Sequence, residues 1–131
     1  MESYLTEMVD VVVDAMCESG GYEKEVLMSN SQKESLCFAR FCIFHTLRGS
    51  GLSTSKIGEI VNRDHATVLN GCKRFKQIIG NRTFPIENLL YYDFMKTLKR
   101  KCDESDNRSI LCAVLFGDNA SSLTGNGIYH N

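Results

Sequence analysis

At 131 residues with 43% hydrophobic composition, seven Phe and five Tyr, the chain has material for one hydrophobic core and excludes two ordinary domains. Its net charge of −1 hides a split: residues 1–32 carry one Lys against seven acids, residues 33–101 carry thirteen Lys and Arg against five acids, and residues 102–131 carry one Arg against four acids. A polyanion would bind the basic middle. No run is long and apolar enough for a membrane span and Met1-Glu2-Ser3 lacks a basic leader, so a cytoplasmic protein without a membrane partner is expected.

Leu5, Met8, Val9, Val12 and Met16 recur at helical spacing with Asp10 and Asp14 opposite, which predicts an amphipathic helix ending at Gly20-Gly21. An acidic connection through Glu23 and Glu25 follows. The next helix is expected from about Ser31 to Leu47, burying Leu36, Ala39, Ile43, Phe44 and Leu47, and Gly49-Ser50-Gly51 stops it. Ser53 is a good N-cap for a short helix through about Val61, with Ile57 and Ile60 inward. Asn62 marks a tight turn. A longer helix runs to about Ile79 with Val68, Cys72, Phe75 and Ile79 on one seam, and Ala66, Asn70, Lys73 and Gln77 pointing away. Pro85 suits the start of a further helix, about Ile86 to Lys101, burying Ile86, Leu90 and Phe94. Residues 102–131 read as a polar tail with one apolar run, Ile110 to Phe116, that either folds back with a short strand or meets a protein partner.

The six cysteines have no CxxC unit and no regular spacing, and most fall within apolar helical patterns, so buried reduced thiols are expected. Cys42 and His45 lie one turn apart, but no matched second pair completes a metal site, and no cofactor is implied. Asp64 beside His65 suggests catalysis only superficially. Adjacent residues diverge on a helix, no nucleophile stands with them, and the chain is read as a non-enzyme.

A short helix, a tight turn and a longer helix describe a helix-turn-helix, whose second helix can enter the major groove with its N-terminal residues facing base edges. The front of that helix has suitable chemistry. Arg63 can reach phosphate, Asp64 can accept from a cytosine or adenine amino group while also capping the helix, His65 can donate or accept, and Thr67 offers a hydroxyl and a methyl. Lys73, Arg74 and Lys76 lie further along. Arg40, among three phenylalanines, is read equally as a structural group or a DNA contact. The cluster at Lys96, Lys99, Arg100 and Lys101 is read as a solvated helix end or an auxiliary phosphate contact.

The run Arg63-Asp64-His65-Ala66-Thr67-Val68-Leu69, with Ile57-Gly58 before it, Cys72-Lys73 after it and Ala39-Arg40 upstream, resembles the signature of the C-terminal DNA-binding domain of DnaA, the bacterial replication initiator. The resemblance covers about residues 4–79 and is specific over 36–79. It implies an all-α, Trp-repressor-like helical bundle that reads a short asymmetric box of double-stranded DNA. By position, Asp64, His65 and Ala66 would face bases, Arg63 and Thr67 would hold the backbone, and Arg48, Ser55 and Lys56 would make further phosphate contacts. The chain departs from the family pattern in three ways: Ala66 replaces a Thr, Asn62 stands where two glycines are usual, and Gln32 or Lys33 stands where the family places a minor-groove arginine.

The expected organisation is therefore a helical DNA-binding domain over 1–101 and a tail over 102–131. DNA-contacting residues are expected at Lys33, Arg48, Ser55, Lys56, Arg63, Asp64, His65, Ala66, Thr67 and Lys73. No GxxxxGK[ST] loop occurs, so the expected function is sequence-selective DNA binding in replication initiation or its regulation, without ATPase activity. The alternative is a protein-interaction module that keeps the helical fold.

Overall fold

The computed structural model describes residues 2–117; residues 118–131, most of the expected tail, lie outside them. The described residues form seven helices and no strand: α1 Glu2–Gly20, α2 Lys24–Leu27, α3 Glu34–Gly49, α4 Thr54–Val61, α5 His65–Ile78, α6 Pro85–Glu104 and α7 Arg108–Phe116. The fold class is all-α, as expected. None of these helices is long and apolar enough to cross a membrane.

Helix α3 is the hub. It buries Leu36, Phe38, Ala39, Arg40, Cys42, Ile43, Phe44, Thr46 and Leu47, well beyond the single stripe expected. A helix apolar on most sides is stable only when surrounded. Here α1, α5 and, less extensively, α4, α6 and α7 surround it. The short α2 falls in the acidic connection, where four residues are too few to produce a periodic signal, and its Leu27 is fully buried.

Helix α6 differs from the expectation at its start. Ile86 is 77% exposed and Leu89 60% exposed, while Phe94, Met95, Leu98 and Cys102 are buried. Contacts to α1 explain this. Glu18, near the end of α1, pairs with Arg100 and with Lys101 at 3.2 Å, whereas Glu7 accepts from Ser105 and Asn107 beyond α6. The two helices are thus antiparallel, and α1 ends before it reaches the first half of α6. That first half leans on α5 instead, through Asn88, whose Nδ2 donates to Phe84 O at 2.7 Å and Ile78 O at 3.2 Å and whose Oδ1 accepts from Gly80 N.

The apolar run expected as a possible strand is the helix α7. Leu111 and Phe116 are buried in it, and it packs back on α1, α3 and α6. Alternation and helical spacing cannot be told apart in so short an apolar run, and here packing against three helices selects the 3.6-residue period. The basic cluster at the end of α6 is compensated: Lys99 meets Asp103 at 2.7 Å, and Arg100 meets Glu18 and Glu104.

All six cysteines are free thiols. Cys42, Cys72 and Cys102 are buried and the other three are half-buried. Among the described residues no three side chains of metal-binding type cluster together.

Candidate nucleic-acid interface

The α4–α5 unit is built from local chemistry. Ser53 caps α4 by accepting from the Lys56 amide at 3.1 Å, and Ile57, Gly58 and Val61 form its buried side. Asn62 then turns the chain in the left-handed region (φ 56°, ψ 50°), which Asn tolerates better than most residues because its short polar side chain can bond locally. Arg63 N donates to Gly58 O at 2.7 Å, and a Cβ on Gly58 would collide with the Arg63 carbonyl oxygen. The turn therefore closes only over glycine. Asp64 caps α5 by accepting from Ala66 N at 3.1 Å, so the helix proper begins at His65, two residues later than Arg63. Further along, a Cβ on Gly71 would lie 2.7 Å from the Phe44 ring and 2.9 Å from Phe41, so α5 is seated close against α3.

This seating fixes which face of α5 meets solvent. Val68, Gly71, Cys72, Phe75 and Ile78 point inward. Asp64, His65, Ala66 and Thr67 are exposed in succession, and Asn70, Lys73 and Gln77 continue the outer face. His65 Nδ1 lies 3.6 Å from Asp64 Oδ1, too far for a hydrogen bond, so the imidazole keeps both ring nitrogens for another partner.

Arg63 is half-buried and points back into the protein. Its Nη2 donates to Ser29 O at 2.7 Å, and Met28 O lies at 3.4 Å. Arg40, only 5% exposed, holds the same segment: Nε donates to Leu27 O at 2.6 Å and Nη1 to Ser31 O at 2.7 Å. Its Nη2 is buried without a hydrogen-bond partner. Burial, and then the neighbouring Arg63 charge, pull the Arg40 pKa below the usual guanidinium value. Both arginines line a cavity of about 240 Å³ with Asn30, Gln32, Cys37, Phe41, Phe44 and Thr67. None of these residues is a carboxylate, so the electrostatics favour an anion.

The other expected residues surround this centre. Lys33 is exposed at the N-cap position of α3, beside Gln32, whose Nε2 donates to Asn30 O at 3.2 Å. Ser55 is exposed and Lys56 half-buried in the first turn of α4, with Lys56 Nζ 3.7 Å from Glu59. Arg48 lies exposed near the end of α3, and Lys76 is exposed in the last turn of α5. Lys73 is exposed on the outer face. Sequence reasoning missed Arg40 as the partner of Arg63. The visible signal was a lone arginine on an otherwise apolar helix face, which has to find acceptors.

Over residues 9–75 the chain matches the family described as the bacterial DnaA protein helix-turn-helix. The chromosomal replication initiator protein DnaA of a Synechococcus species is 32% identical over 71 residues, covering 53% of this chain and 15% of the relative. The initiator of the same name from Bacteroides thetaiotaomicron is 32% identical over 82 residues, covering 60% of this chain and 17% of the relative, and that of Bacteroides fragilis is 33% identical over 70 residues. The chain therefore spans only a small part of the length of these relatives. No solved structure gives a significant match. The matched interval runs from α1 to Phe75 and takes in the Gly58 turn, the Asp64 cap and the exposed front of α5, and the chain belongs to the bacterial DnaA helix-turn-helix family.

Proposed function

We propose that this chain binds double-stranded DNA with sequence selectivity, placing α5 in the major groove. On this reading His65, Asp64 and Ala66 face base edges, and Thr67, Arg63, Lys33, Arg48, Ser55, Lys56 and Lys73 meet the backbone. The observation that carries it is the exposed run Asp64–Thr67 at the front of a helix seated close against α3, next to a two-arginine cavity with no carboxylate in its lining. The first turn of α5 supplies unsatisfied N–H groups, which favour a phosphate oxygen. The cavity adds the charges of Arg40 and Arg63 with no carboxylate in its lining, which favours a backbone phosphate nearby. Sequence selectivity comes from the base-facing side chains, because phosphate contacts position the protein and carry no sequence information.

The setting we infer is replication initiation or its regulation, since the relatives are replication initiators and the match falls on the helix-turn-helix. These 131 residues hold no phosphate-binding loop of the GxxxxGK[ST] type, so the inferred role is DNA recognition without ATP hydrolysis. A protein partner for residues 118–131 would be a separate property of the chain.

Selection of random-sequence duplexes at two salt concentrations tests the reading. One short box should be enriched, with weaker binding at higher salt. His65→Ala should lose the box without loss of stability, because His65 is exposed. Arg63→Ala should lose affinity for all sequences, and also some stability through the lost bond to Ser29. Binding without enrichment of any box would overturn sequence selectivity.

A further inference from the structure

Four residues beyond Ala66, on the same outward face of α5, stands Asn70. It is exposed, and among the described residues its side chain makes no hydrogen bond. Several other polar groups of this face are committed or chemically limited. Gln77 Oε1 accepts from Arg74 Nη1 at 3.1 Å, Asp64 is used as the cap, and Lys73 has only donors. Asn70 is the one side-chain amide of this face, among the described residues, with both its donor and its acceptor free.

We propose that Asn70 is a specificity-determining residue that reads an adenine in the major groove, its Oδ1 accepting from the N6 amino group and its Nδ2 donating to N7. The inference rests on the DNA-binding reading above and adds to it a residue and a base. At 1.5 Å rise per residue, Asn70 lies about 6 Å further along the helix axis than Ala66. With base pairs about 3.4 Å apart, the adenine falls about two base pairs from the position faced by Ala66. Ala66 itself presents a single methyl group, which leaves the helix free to lie close to the groove floor. The reach of Asn70 depends on that approach. Leu69, 36% exposed, flanks it and provides an apolar surface that shields the paired hydrogen bonds from water.

The test compares the boxes selected from random duplexes by the wild-type chain, Asn70→Ala and Asn70→Asp, with melting temperature as a control. Asn70→Ala has no intramolecular bond to lose and should melt no lower than wild type. Its selected box should keep every preference except one, where discrimination for adenine drops by about tenfold or more. Asn70→Asp, which cannot donate to N7, should lose the same preference. An Asn70→Ala box identical to wild type at every position, even with uniformly weaker binding, would overturn the proposal and leave DNA reading intact. If the wild-type chain enriches no box, the DNA-reading function itself fails and the role of Asn70 falls with it.

Discussion

Asp64 has two separable jobs, and conservative substitution distinguishes them. As N-cap it accepts from Ala66 N, and replacing such a cap with Ala costs about 1 kcal/mol. Asp64→Asn keeps a capping oxygen but changes what the side chain offers to a base. Urea denaturation should therefore find Asp64→Ala less stable by about 1 kcal/mol and Asp64→Asn nearly unchanged, while both alter the selected DNA box. Equal stability of all three would show that the cap contributes nothing. Arg40 is a stronger anchor because it is buried and holds two backbone carbonyls. Arg40→Met should lose about 2–3 kcal/mol, since hydrogen bonds from charged donors exceed neutral ones and two backbone acceptors, one of them buried, are left unmet. Unchanged urea midpoints for Arg40→Met would refute that anchoring role.

At the scale of elements, the angle between α4 and α5 is set by backbone contact at the turn. Gly58→Ala forces its new methyl group into the Arg63 carbonyl, which belongs to the backbone and cannot rotate away as a side chain would. The variant should lose several-fold or more in DNA affinity while its far-UV circular dichroism stays helical, because helix content survives but the relative placement of the two helices does not. Wild-type affinity in Gly58→Ala would mean that the turn tolerates displacement. The elements outside the matched interval, α6 and α7, are joined to α1 by Glu7 and Glu18. Hydrogen bonds from Ser105 and Asn107 lower the Glu7 pKa, and Lys101 and Arg100 lower that of Glu18, so both contributions are present above the ordinary glutamate value of 4.5 and are lost in stronger acid.

For the whole molecule, the charge split visible in the chain is partly cancelled by folding. Acidic α1 pairs with the basic end of α6, so Arg100 and Lys101 are committed to Glu18 while Lys73 on α5 makes no ion pair among the described residues. Lys73→Ala should reduce the slope of log affinity against log salt by about 1, whereas Lys101→Ala should leave it unchanged. A second whole-molecule property is a pH dependence centred on His45, which links three helices. Its ring stacks on Phe75 of α5 at 4.1 Å and meets Tyr91 of α6 edge-on at 6.4 Å. Burial, and secondarily Lys76, lower its pKa below the ordinary 6.5. The unfolded chain thus takes up the proton first as pH falls. The stability this neutral histidine provides is complete above about 6.5 and declines below it, toward the lowered folded value. Melting temperature should drop between pH 7 and pH 5, and His45→Phe should shrink that drop. An equal drop in the variant would show that His45 does not set this pH dependence.

Local chemistry alone determined much of this protein. Ser53 and Asp64 as caps, Gly58 and Asn62 at the turn, and the inward spacing of Val68, Cys72 and Phe75 are short-range features, so the helix-turn-helix and its exposed front were legible before any packing was known. Ile86 illustrates the limit. It has the right spacing to be buried, yet it is exposed because α1 stops short of it, a fact set by the relative lengths and direction of two helices far apart in sequence. The helical state of 108–116 was likewise decided by three neighbouring helices, because nine apolar-rich residues suit either period. The same holds for the pairing of Arg40 with Arg63 around one cavity and for the neutralisation of the α6 cations. Charge and hydrogen-bonding capacity belong to residues, but compensation depends on which groups the tertiary fold brings within a few ångströms.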